Sequence, residues 1–154
     1  MSMILLLAGL LGVIAGLRTM MAPTVLAWAA WAGWLSPEGT WAAFMASPWA
    51  VGVLSLLALV ELVVDQLPST ESRKVPVQFG ARLVSGAFCG AVLGTLAGQP
   101  VAGLLAGLIG AGLGTLGGAA ARARLAAAFG RDMPAAFIED AVAILGGLLI
   151  VAAA

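Results

Sequence analysis

Arg18, Thr19, Glu61, Asp65, Arg82, Glu139 and Asp140 are the residues best suited to chemistry in this chain, because they punctuate otherwise apolar runs. Arginines beside carboxylates can hold an anionic group. A carboxylate in apolar surroundings can take up and release a proton. Glu61 and Asp65 are four residues apart, so they share one helical face. Asp140 follows Glu139 directly, which rotates it by roughly 100° to face elsewhere. A lone charge at bilayer depth costs about 2.5–3.5 kcal/mol on insertion scales, so such groups must face an interior, pair, or line water. The functional reading is a polar cavity. The bland reading is a salt-bridge knot that glues helices together, with Arg18 snorkelling to the interface.

Those residues sit in a chain that water alone cannot accommodate. Of its 154 residues, 62% are hydrophobic and 9% charged, far less polar surface than a soluble domain needs. The long apolar runs lie back to back, as in a polytopic membrane protein of one domain, 1–154. Seven basic and seven acidic residues cancel, so there is no nucleic-acid signature. Histidine is absent, and the one cysteine, Cys89, reads as a small core residue. Disulfides, most zinc and haem chemistry, and histidine-based triads are thereby excluded; no metal or cofactor is expected. The N-terminal stretch lacks a basic region and reads as a retained first helix.

Six apolar segments must position the charges: Met3–Leu17, Met20–Leu35, Trp49–Val64, Phe79–Gly98, Val101–Ala120 and Ala135–Ala153. Ser47-Pro48 is a helix start, with serine as cap and proline at the first position. Pro23 opens the second segment in the same way, Gly98-Gln99-Pro100 is a tight turn, and Asp132 with Pro134 opens the sixth. Arg73 and Lys74 follow the third segment; Arg122, Arg124 and Arg131 follow the fifth. The positive-inside rule makes that side cytoplasmic, so the chain is expected as a multi-pass protein of the cytoplasmic (inner) membrane. Arg18 and Arg82 fall on the same side, and Trp31, Trp34, Trp41 and Trp49 gather at the opposite face as an aromatic belt. Segments one and two give only roughly 24 Å of helix each, short of a ~30 Å core. Segment two is therefore either half of a thin hairpin or re-entrant, giving six or five crossings.

Six segments divide into three plus three, which would make the halves an inverted repeat. Gly86, Gly90, Gly94 and Gly98 recur every four residues in segment four; Gly103 and Gly107, then Gly110, Gly114 and Gly118, do so in segment five. Such glycine-zipper faces let backbones approach closely, within the chain or in a homo-oligomer. The loop 65–76 holds Ser69, Thr70, Ser72, Arg73 and Lys74, which would suit a phosphate or lipid head group, or form a solvated topogenic loop. Trp28, Trp31 and Trp34 form either a packing stripe or, less simply, an aromatic cage for a cation. Residues 119–132 read as a short basic helix on the inner surface, touching anionic lipid.

"GLRTMMAP" (16–23), "ELVVDQLPSTESR" (61–73) and "ARLVSGAFCGAVLG" (81–94) together resemble the bacterial integral membrane family named domain of unknown function 4126. The resemblance rests on Gly16, Leu17, Arg18 and Thr19; on Glu61, Asp65 and Pro68; and on Arg82, Gly86 and Gly90. Members often carry lysine after the aspartate, where this chain has Gln66. The resemblance implies an integral membrane protein and no particular activity.

The leading functional expectation is a small transporter, channel or lipid-handling protein with a cytoplasm-facing polar cavity. Arg18 and Arg82 would hold an anionic solute or lipid head group. Glu61, Asp65 and Glu139 would gate or carry protons. The alternative is a structural or assembly subunit of a membrane complex. An enzyme ranks third, because no nucleophile–base pair is recognisable.

Overall fold

The computed structural model describes residues 2–67 and 75–154. Six α-helices follow one another: α1 (Met3–Leu17), α2 (Met21–Trp31), α3 (Pro48–Val64), α4 (Pro76–Leu96), α5 (Pro100–Phe129) and α6 (Asp132–Ala153). A short 3-10 helix, Trp41–Ala46, precedes α3. No strand occurs among the described residues. Helices α4, α5 and α6 are long and apolar enough to cross a membrane; α1 and α3 are apolar but shorter. Five or six crossings are therefore more than helix length alone supports.

Local chemistry sets the helix starts. The Ser47 hydroxyl accepts from the Ala50 amide at 3.1 Å, and Pro48 follows at the first helical position. Pro76 and Pro100 open α4 and α5, so Arg82 lies well inside α4 and not at its start.

Two other expectations are corrected. The second helix ends at Trp31, not Leu35. Gly33 adopts φ +82°, its amide donates to Ala30 O (3.2 Å), and the Trp34 amide donates to Ala29 O (2.9 Å). This left-handed glycine closure satisfies the terminal carbonyls and turns the chain away. The basic stretch after residue 119 is no separate helix. It extends α5 without a break to Phe129, because alanine, leucine and arginine are strong helix formers.

Helices α1, α4 and α5 pack almost backbone on backbone. A Cβ on Gly90 would lie 2.1 Å from Gly103 O, and one on Gly94 2.4 Å from Gln99 O. Gly86 meets Gly107 in the same way, so α4 and α5 run antiparallel. The other glycines of α5 serve a different neighbour. Gly110 abuts Gly9, and Gly114 abuts Val13. Gly12 and Gly16 of α1 press on Gly107 and Ala111 in rising order, which makes α1 parallel to α5. The glycine faces of α4 and α5 are thus occupied within the chain.

Helix α2 runs back from the end of α1 into the middle of the bundle. Nine of its 11 residues are buried, although its length of about 16 Å is half a hydrocarbon core. Helix α3 is peripheral. It packs chiefly on α2 and the 3-10 helix, leaving Leu56, Leu59 and Val63 exposed.

Candidate functional site

The sequence Arg18-Thr19-Met20 forms the break between α1 and α2. Two helix ends meet there, with carbonyls of α1 and amides of α2 that lack helical partners. Each end gains partners from another helix. Arg82 Nη1 donates to Gly16 O (2.9 Å) and Leu17 O (2.8 Å). The Glu61 carboxylate accepts from Thr19 N (2.7 Å) and Met20 N (2.8 Å). A cation thus sits at a helix C-terminus and an anion at a helix N-terminus, which the helix dipoles favour. Ser85 Oγ donates to Thr19 O at 2.5 Å.

Arg18 points from this break into a group of acids and is 0% exposed. Its Nη1 donates to Asp65 Oδ2 (2.5 Å), its Nε donates to Asp140 Oδ1 (2.6 Å), and Glu139 Oε2 lies 3.6 Å from Nη1. Asp140 does not face elsewhere. The guanidinium forks between α3 and α6, so it meets both adjacent acids of α6 despite their angular separation. Gln66 Nε2 donates to the second oxygen of Asp140 at 3.0 Å.

Arg122 completes the arrangement. Its Nε and Nη2 donate to the two oxygens of Asp132 (2.9 and 2.6 Å). Its Nη1 donates to Glu139 (3.3 Å), and Nη2 also reaches Asp65 O (3.2 Å). Opposite charges therefore alternate without a gap from Asp140 through Arg18, Glu139 and Arg122 to Asp132. From Arg18 outward side-chain exposure rises, from 0% at Arg18 and 6% at Glu139 to 17% at Arg122 and 58% at Asp132.

The structure brings together Arg18, Glu61, Asp65, Arg82, Glu139 and Asp140, with Thr19 taking part through its backbone. Ser69, Ser72, Arg73 and Lys74 lie outside the described residues. Sequence reasoning missed Arg122, Asp132, Ser85 and Gln66 as members. Arg122 and Asp132 flank the turn at Gly130 with opposite charges, which was the available signal. At the far end of α3, Phe44, Trp49, Val53, Leu54 and Phe88 line an apolar groove of about 360 Å³. Trp28 donates to Ser55 Oγ (2.9 Å) and meets Trp31 edge to face, which is packing rather than a cage.

The profile of a family described as Domain of unknown function (DUF4126) matches residues 5–154. The chain belongs to the DUF4126 family. Every residue of the ion-pair site lies within the matched stretch. Membership in DUF4126 brings no activity with it, and no curated protein and no solved structure matches the chain.

Proposed function

We propose that this DUF4126 protein is a small multi-pass membrane transport protein whose translocation site is the Arg18-centred cluster. The observation that carries the reading is the alternating ion-pair series, which links a fully buried arginine to an exposed aspartate. It lies beside an interruption between two short helices, and interrupted helices at midplane sites are a recurring feature of transporters. Charges buried at such a cost are rare in membranes unless they serve a pathway or a relay.

Arg18, Arg82 and Arg122 each donate to oxygens of the protein itself. Arginines engaged in this way favour a proton or small cation over an anionic solute as the moving species. The basic residues at the cluster end make that end cytoplasmic by the positive-inside rule, in the cytoplasmic membrane. α2 then forms half of a thin hairpin in a six-helix topology. Self-association would use the uncovered apolar face of α3, since the glycine faces meet other helices of the same chain.

The test is flux into sealed liposomes carrying purified protein and a trapped pH or cation indicator. Glu139→Gln is the informative variant, because Glu139 lies between Arg18 (3.6 Å) and Arg122 (3.3 Å) in the series and glutamine removes its charge at nearly unchanged volume. Flux that vanishes in this variant, at unchanged melting temperature, supports the reading. Wild-type liposomes no leakier than empty ones would refute it.

A second reading, a structural or assembly subunit, draws on the way Glu61 and Arg82 finish helix ends. It expects no flux, and loss of association rather than of transport when the cluster is altered.

A further inference from the structure

We propose that the hairpin formed by the end of α5 and the start of α6 is a docking surface for anionic phospholipid head groups, with Arg124 and Arg131 as the cations that meet the phosphates. The proposal is independent of transport.

Helix length carries the first part of the argument. The 30 residues of α5 extend about 45 Å. That matches a bilayer with its head-group layers included, while the hydrocarbon alone is ~30 Å. The helix carries no charge from Pro100 to Ala121, and its first charged residues are Arg122 and Arg124. Helix α1 ends with Gly16 level with Thr115 of α5. The rest of α5 therefore projects past α1, and its last two turns, from Arg122 on, with the Gly130 turn and the first turn of α6, are the part that follows the uncharged stretch.

Charge carries the second part. Asp132 is the only acid between Arg122 and Glu139, and Arg122 grips both its oxygens. Arg124 and Arg131 are exposed, and neither makes an ion pair with a described residue. On the same hairpin Phe129, Met133 and Phe137 are more than half exposed. An acidic peptide or a nucleic acid would meet the arginines but leave these apolar side chains in water. A phospholipid satisfies both, with phosphate on the guanidinium groups and acyl chain on the apolar ones.

The experiment is native mass spectrometry of the full chain, released from detergent with equal amounts of phosphatidylglycerol and phosphatidylcholine. The wild type is expected to retain phosphatidylglycerol preferentially. Arg124→Gln with Arg131→Gln should weaken that retention by roughly 25-fold, or about fivefold per arginine. Arg124→Lys with Arg131→Lys should keep it, since the charge is preserved. Equal retention by wild type and the glutamine variant overturns the proposal, as does equal loss in the lysine variant. Displacement of phosphatidylglycerol by inorganic phosphate at the same concentration would also overturn it, in favour of a free-phosphate site.

Discussion

Arg18 and Asp65 form an ion pair at 2.5 Å that joins the break after α1 to the end of α3. Arg18 is fully buried and Asp65 partly so. Helix α3 otherwise packs chiefly on α2 and the 3-10 helix. The pair therefore fastens the most loosely packed helix to the rest of the bundle.

Removing the arginine alone should be severe. Arg18→Ala leaves Asp65, Glu139 and Asp140 facing one another without their shared cation. Breaking a buried pair by removing one partner costs about 3–5 kcal/mol. Thermal unfolding in nanodiscs should show a large drop. Combining Arg18→Met with Asp65→Leu should cost less than the sum of the single changes, by about 0.5–3 kcal/mol. Strict additivity would mean that the two residues are not coupled.

Glu61→Gln should act on stability as well as on any transport. Glutamine keeps one acceptor oxygen but presents an amino group to the other amide of the α2 terminus. The expected loss is that of a helix cap, about 0.5–2 kcal/mol. A melting temperature equal to wild type would show that Glu61 does not cap α2 in the membrane.

Two glycines should respond in opposite ways to alanine. A Cβ at Gly90 meets the Gly103 carbonyl, so α4 and α5 must separate. Overpacking of this kind costs about 1–3 kcal/mol. At Gly117 nothing lies within 4 Å, and alanine should stabilise by about 0.4–1 kcal/mol through the unfolded state. Matching melting curves for the two variants would contradict the packing described.

Arg122→Ala should open the exposed end of the ion-pair series. Hydrogen exchange followed by mass spectrometry is expected to speed up at the start of α6 and at Thr19 and Met20, while the glycine-packed core of α4 and α5 stays protected. A uniform change over the whole chain would point to global destabilisation instead.

The loop before α3 and the α5–α6 hairpin lie at opposite ends of α3, because Arg122 reaches the carbonyl of Asp65. In sealed vesicles, Glu38→Cys and Ala127→Cys should therefore be labelled from opposite sides by an impermeant maleimide. Cys89 is 0% exposed and should remain silent. Labelling of both new cysteines from one side would rule out this topology.

The apolar runs, the proline starts and the glycine spacing were legible in the linear chain, because each depends on neighbours within one or two turns. So was the membership of six cluster residues, since an ionisable group in an apolar run must find a partner. Their roles were not legible. The sequence alone determines that Glu61 and Arg82 are ionisable groups set in apolar runs. Only the tertiary structure decides that one accepts from the amides just ahead of α2 and the other donates to the carbonyls at the end of α1, because those backbone groups come from residues more than forty positions away. The direction of the glycine faces was hidden for the same reason. Spacing says which residues share a stripe, but whether Gly110 meets α4, α1 or another subunit depends on how helices close in space. Arg122 illustrates the limit most plainly. Its sequence neighbours mark it as a surface residue of a basic stretch, and its role arises only when α5 continues unbroken and places it over Asp65, Asp132 and Glu139.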